Sequence, residues 1–215
     1  MQKNKGILLV LSGFSGSGKG TVMKEIMKKY SDRYALSISA TTRSPRQGET
    51  DGVEYFFKTR EEFEEMIAQG AFLEYDAHAA NYYGTPRAQA EEKRANGPVL
   101  LDIEPAGAKQ VRESVPDAEL VFIMPPSMEE LERRLRGRGD TPEDQIKLRM
   151  ERAVWEMEQR FWYDHVVVND DPERCANEIL TIIAEEGGSN KELTIDNGQL
   201  TIAVSLRDKR KMAKI

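Results

Sequence analysis

Between Gly13 and Thr21 the chain reads Gly-Phe-Ser-Gly-Ser-Gly-Lys-Gly-Thr. Gly13, four residues, then Gly18-Lys19 is the spacing of a phosphate loop. Glycines let the backbone curl until successive N–H groups point at one anion. A helix opening there adds the partial positive charge of its N-terminus, and Lys19 adds a full one. Gly13, Ser15, Gly16, Ser17, Gly18, Lys19, Gly20 and Thr21 are therefore candidate contacts to a nucleotide phosphate. The bland alternative is an ordinary Gly-Ser connection. The apolar run Ile7 to Leu11 before it, the helical pattern after it and the lysine in register all disfavour that. Gly20 follows the lysine where Ser or Thr usually offers a hydroxyl to magnesium, and Thr21 comes one place later.

Other residues suit the same chemistry. Arg43 and Arg46 lie in a polar stretch, Ala40 to Glu49, whose Pro45 and Gly48 fix turns. Arg133, Arg134, Arg136 and Arg138 cluster around Gly137 and Gly139, and Arg149 and Arg152 follow on a long helical pattern. Arginine grips phosphate oxygens in pairs with its planar fork. A solvated helix face explains Arg133 and Arg136 better, and Arg134 stays undecided between the two readings. Val99 to Glu104 reads as an apolar strand ending in acids, Asp102 and Glu104, which could reach a magnesium region. An incidental acid at a strand end is common, and only the preceding phosphate loop gives this one weight.

To hold these groups the chain must alternate strands with helices. The pattern predicts a helix to about Tyr30, a strand over Ala35 to Ser39 and another over Val53 to Lys58. Thr59 with Glu62 predicts a capping box for a helix that Gly70 ends. Phe72 to Ala77 reads as strand and Asn81 to Gly84 as a turn, with Thr85-Pro86 opening the next helix. Strands over Val99 to Glu104, Leu120 to Met124 and Val166 to Asn169 follow. Between them fall a helix capped by Ser127 and Glu130, a long helix from Thr141-Pro142 to about Phe161, and a final one from Asp171-Pro172 to Glu186. Such alternation means a parallel sheet with crossover connections. The stretch from Ser37 to Tyr83 breaks the rhythm and reads as a small mixed sheet.

A chain of 215 residues supports one α/β domain with a sizeable core. A net charge of −6 argues against a general nucleic-acid or membrane-surface binder. The single cysteine, Cys175, excludes an internal disulfide and fits a reducing cytoplasm. Neither His78 nor His165 has metal-ligand company, so no protein-held metal is expected. The N-terminal apolar run is too short for a membrane span and lacks a signal-peptide cleavage site.

Taken jointly, Ser-Gly-Phe-Ser-Gly-Ser-Gly-Lys-Gly-Thr, Thr-Thr-Arg-Ser-Pro-Arg-Gln-Gly-Glu, Asn-Tyr-Tyr-Gly-Thr, Leu-Asp-Ile-Glu, Arg-Gly-Arg-Gly and Val-Val-Asn-Asp stand in an order that resembles guanylate kinase, a P-loop nucleoside monophosphate kinase family. The resemblance runs from about Gly6 to Glu186. It implies a parallel-sheet core, an inserted α+β GMP-binding region at about 37–90 and a helical lid at about 137–163, within a domain of residues 1–187. It implies the reaction ATP + GMP → ADP + GDP, with dGMP as a further acceptor and Mg2+ carried by the nucleotide. The phosphate loop becomes the ATP side. Positions matching Arg43, Arg46, Tyr55 and Tyr83 hold the acceptor phosphate, and Glu49, Asp102 and Glu104 are further GMP-binding positions on this resemblance. Ser39, Glu74 and Thr85 match the guanine readers. Lys19, Arg43, Arg138 and Arg149 match the groups that act on the transferring phosphate.

Three departures from the pattern stand out. Phe14 replaces a Pro or Ala, Asp76 to Ala80 lacks the usual Gly before Asn-Tyr-Tyr, and Pro105-Ala106 replaces an apolar residue and Gln. Two rival readings use the same scaffold. One is a catalytically silent phosphopeptide-binding module, disfavoured because Lys19 and the arginines survive. The other is a kinase for another phosphorylated acceptor, disfavoured by Ser39, Glu74 and Thr85. Residues 188–215 lie beyond the resemblance. There, Glu192 to Val204 alternates apolar and polar around Asn197-Gly198, predicting a β-hairpin, before a basic end. A lone hairpin is marginal, so it docks on the core or joins another chain, which leaves a homo-oligomer open.

Overall fold

The computed structural model describes residues 5–78, 80–137, 142–186, 192–196 and 199–203. Its centre is β1 (Leu8–Gly13), every residue of which is buried. A strand buried on both faces needs an unbroken apolar run, and Leu8 to Leu11 supplies one. β1 pairs in parallel with β7 (Val99–Asp102) on one side and β8 (Glu119–Met124) on the other. β2 (Ala35–Leu36) and β9 (His165–Val168) form the edges of this five-stranded parallel sheet.

Alternate residues face opposite layers. Leu9 and Leu11 pack with Val22, Met23 and Ile26 of α1 (Lys19–Tyr30) and with Cys175, Ala176 and Ile179 of α7 (Pro172–Glu186). Leu8 and Val10 pack with Ala108 and Val111 of α4 (Pro105–Ser114), Leu131 and Leu135 of α5 (Met128–Arg136), and Ile146 and Ala153 of α6 (Glu143–Glu158). A 3-10 turn, Gln159–Trp162, continues α6 towards β9.

Between β2 and β7 the chain builds a second, four-stranded sheet ordered β4-β3-β6-β5, from β3 (Ala40–Thr41), β4 (Phe56–Phe57), β5 (Phe72–His78) and β6 (Asn81–Pro86). It is mixed: β3 and β4 are parallel, while β6 runs antiparallel to both neighbours. α2 (Arg60–Ala68) covers it through Phe63, which stacks on Phe72 and Tyr82. The Thr59–Glu62 capping box is present.

Several expectations need correction. Ala35 to Ser39 is not one strand: Leu36 ends in the parallel sheet and Ala40 begins in the mixed one, so three residues bridge two sheets. Val53 to Lys58 shortens to Phe56–Phe57, because the Asp51 carboxylate accepts the Phe57 N–H at 2.7 Å and folds the preceding residues into a turn. Asn81 to Gly84 is strand rather than turn. His78 already pairs with Asn81, so these residues continue the ladder as β6. Thr85 consequently sits in β6, and α3 (Arg87–Arg94) starts after Pro86. Ser127 caps α5, but the Glu130 carboxylate turns to Arg133 and Arg134 instead of closing the box. α4 was not anticipated, although Pro105 at its first position is a start signal.

β10 (Glu192–Asp196) and β11 (Gln199–Ala203) pair antiparallel, as the alternation predicts. The Asn197-Gly198 connection, the 187–190 linker and the basic end lie outside the described residues. Among the described residues no helix is long and apolar enough to cross a membrane.

Candidate functional site

The first half of the site is the turn between β1 and α1. Gly16 and Gly18 hold φ of 96° and 90°, values that side chains resist. A Cβ on Gly18 would stand 2.3 Å from Asn169 Nδ2, so only glycine fits between loop and neighbour. α1 begins at Lys19 with no side chain capping its N-terminus. Its first N–H groups thus stay available to an anion. Lys19 Nζ curls back to donate to the Gly13 carbonyl at 2.8 Å and lies 3.4 Å from Glu104 Oε1.

Residues that sequence reasoning missed, or left undecided, hold this loop from behind. Arg134 donates to the Ser17 carbonyl at 3.1 Å and to the Asn169 carbonyl at 2.8 Å, while Glu130 takes its Nε. Asn169 Nδ2 also donates to Ser17 O, at 2.8 Å. Ser17 Oγ and Asn169 Oδ1 remain buried without a partner among the described residues. Asn169 follows the last parallel strand, at the carboxyl edge where such sheets bind ligands, and that position is the signal that could have found it. Arg134 had none, since its i,i+4 acid reads as a surface pair. Arg133 and Arg136 do pair with surface acids.

Phe14 turns away from this turn. It is fully buried and meets the Phe122 ring edge-on at 5.3 Å, so its bulk fills the core and leaves the loop's inner face clear.

The second half lies on the mixed sheet. Thr85 Oγ1 donates to Glu74 Oε1 at 2.6 Å, and both residues are buried. β3 pairs Ala40 with Gly84 and Thr41 with Tyr83, which brings Ser39 level with Thr85. Glu74 and Thr85 thus face each other across β5 and β6, with Ser39 next in the row at the entry to β3. Burial pushes the Glu74 carboxyl up to about 7, against the opposing pull of the Thr85 hydrogen bond. Nearby, Arg43 makes a two-point pair with Glu49 at 2.9 Å, and its guanidinium lies 5.3 Å from the Tyr55 ring centre. The Tyr55 and Tyr83 rings meet at 6.1 Å. Glu49 also accepts the Arg46 backbone N–H, and this ring of donors holds its carboxyl below the usual range. The Arg46 residue itself is exposed.

α4 joins the halves. Asp102 and Glu104 flank its start, and Glu104 reaches Lys19. The Asp102 residue is exposed, yet neighbouring atoms desolvate its carboxyl and raise it, while Lys19 opposes. A cavity of about 110 Å³ is lined by Ser15, Glu104, Arg149, Arg152 and Glu156. Arg152 pairs at 2.8 Å with the buried Glu156, whose carboxyl is raised by burial and then by Glu104. Gly20 and Thr21 lie in the first turn of α1, both exposed. Arg138 lies outside the described residues.

Among the described residues no three His, Cys, Asp or Glu side chains group as metal ligands. Asp102 and Glu104 offer the hard carboxylate oxygens that suit magnesium shared with phosphates.

A sequence model described as guanylate kinase matches residues 5–186 of this chain. The solved guanylate kinase of Anaplasma phagocytophilum is 34% identical, with a TM-score of 0.68 over 88% of this chain and 90% of that one. The protein TT1252 of Thermus thermophilus aligns more loosely, at 14% identity and a TM-score of 0.49 over 86% of this chain and 100% of that one.

Proposed function

The chain belongs to the guanylate kinase family, a family of nucleoside monophosphate kinases, and from that premise we propose that it phosphorylates GMP to GDP with ATP. dGMP is a second acceptor on this reading, and the setting is purine nucleotide metabolism in the cytoplasm.

The row of Ser39, Thr85 and Glu74 supports the choice of acceptor most strongly. Guanine presents N1–H and N2–H as donors and O6 as an acceptor. A carboxylate and two hydroxyls answer that pattern. Adenine would leave the buried carboxylate unpaired, which is costly.

The chemistry needs no general base, because the acceptor is a phosphate oxygen that is already ionised. The obstacle is bringing two polyanions into line, and positive charge with positioning overcomes it. The loop N–H groups and Lys19 grip the ATP phosphates. Arg43 and Arg46, with the Tyr55 and Tyr83 hydroxyls, hold the acceptor phosphate. Arg138 and Arg149 act from a lid over the transferring group and help exclude water. Asp102 and Glu104 would face magnesium carried by the nucleotide, which would offset phosphate charge.

A coupled assay of ADP formation with ATP and GMP, dGMP, AMP, UMP or CMP tests the reading. Turnover with GMP and dGMP alone is expected. Equal turnover of AMP removes the guanine assignment. A folded protein that binds GMP yet makes no ADP is a binding module.

A further inference from the structure

Gly107 is the third residue of α4 and lacks the left-handed φ that usually explains a glycine. Glycine inside a helix is destabilising relative to alanine, so a close neighbour that excludes a side chain gives it a reason to be here. The neighbour is Glu74. A Cβ at residue 107 would stand 2.3 Å from Glu74 Oε2 and 3.0 Å from its carboxyl carbon. On its other side Glu74 is held by Thr85 at 2.6 Å, and it is only 5% exposed, so the carboxylate is confined between helix and strand.

The same helix face fixes the strand that carries Glu74. Gln110, three residues on, accepts the Tyr75 N–H at 3.1 Å and donates to the Tyr75 carbonyl at 2.8 Å. β5 is an edge strand, and the Gln110 amide occupies the hydrogen-bonding positions that a further strand would take. Ser114, one more turn along, lies 3.4 Å from the Leu73 carbonyl.

From this geometry we infer that Gly107 and Gln110 are positioning residues for the base-reading carboxylate: Gln110 fixes the height of β5, and Gly107 leaves the one space in which Glu74 can lie. The inference deepens the guanine reading and rests on it for the identity of the base. Any side chain at 107 displaces the carboxylate rather than the helix, because the carboxylate is the flexible end of the contact.

The test is Gly107→Ala in the full chain, read in two ways. Nuclear magnetic resonance with carboxyl-labelled glutamate follows Glu74, assigned by difference against Glu74→Gln. Its titration midpoint, near 7 in the parent, is expected to fall towards the ordinary carboxylate value as the group is pushed outward. Asp76 is the other charge that acts on it and stays in place. Steady-state kinetics are expected to show KM for GMP raised at least about tenfold, with KM for ATP unchanged. An unshifted midpoint overturns the inference whatever the acceptor proves to be. KM values for both substrates rising together would mark a general disturbance of the fold and overturn it too. Failure of the parent to use GMP would instead strike the guanine reading, leaving the titration to decide the contact.

Discussion

The turn at the head of α1 and the row on the mixed sheet gather polar groups by opposite means. The turn draws on nine consecutive residues, Gly13 to Thr21, and works mainly through backbone N–H groups and one lysine. The sheet draws on side chains far apart in sequence, with Glu74 and Thr85 eleven residues apart on two strands and Ser39 just before a third. Backbone sites tolerate change in most side chains but not in backbone conformation. Side-chain sites depend on register, so a one-residue slip would turn each reader to the other face.

Lys19→Met should have the largest effect, lowering kcat about 10²–10³-fold, the scale for one preorganised charge, while the circular dichroism spectrum stays that of the parent. Near-normal turnover in a folded variant would remove the distinction between a charged turn and an uncharged one.

Glu74→Gln should be smaller and confined to the acceptor. We expect kcat/KM for GMP to fall at least about tenfold, with KM for ATP unmoved. The empty protein should respond oppositely. Folding raises the Glu74 pKa from 4.5 to about 7, so the carboxylate's contribution to stability is lost as pH rises through that window. Between pH 5 and pH 8 the unfolding free energy of the variant should therefore gain roughly 2–3 kcal/mol on the parent. Denaturant titrations at the two pH values measure it, and a pH-independent difference would refute the buried charge.

A smaller effect lies in the β5–β6 reversal. Ala80 holds φ of 69°, and it is the only non-glycine residue with positive φ among those described. Ala80→Gly should raise stability by about 0.5–1 kcal/mol, the relief of left-handed strain less the added freedom of the unfolded chain. An unchanged midpoint in urea would mean that the turn relaxes without help. Least of all should change when the chain is cut after Gly188. Activity with GMP is expected to stay within about twofold, since the family match ends at residue 186. A folded but inactive truncation would move the boundary of the active unit.

The same contrast decides what was legible in the sequence. The phosphate turn, the buried strand before it and the helix after it follow from spacing and periodicity alone. The parallel sheet follows from the alternation of elements. Glu74 could not be found that way: within Leu-Glu-Tyr it reads as an ordinary strand residue, and only the family resemblance singled it out. Thr85 looked like a helix cap because Pro86 follows it, yet pairing across β5 outweighed the local signal and kept it in strand. Gly107, Gln110 and Arg134 carry no pattern at all, since each acts on a backbone or side chain distant along the chain. Phe14, a departure from the family pattern, is harmless to the turn because its ring belongs to the core.

On the proposed reading, the pair between Arg43 and Glu49 makes the acceptor-phosphate site behave like a loaded ion-exchange resin before GMP arrives. The guanidinium fork is already filled, at two points, by a carboxylate that also accepts the Arg46 N–H. On the proposed reading an incoming phosphate gains only the difference between its own grip on Arg43 and that of the resident counter-ion. A dianion wins this exchange more readily than a monoanion. Acceptor binding should thus weaken as pH falls through the second phosphate ionisation, near 6, in addition to any change at Glu74. Glu49→Gln, which empties the resin of its charge, should flatten that dependence in a calorimetric titration with GMP, and an unaltered profile would show that the two anions never compete.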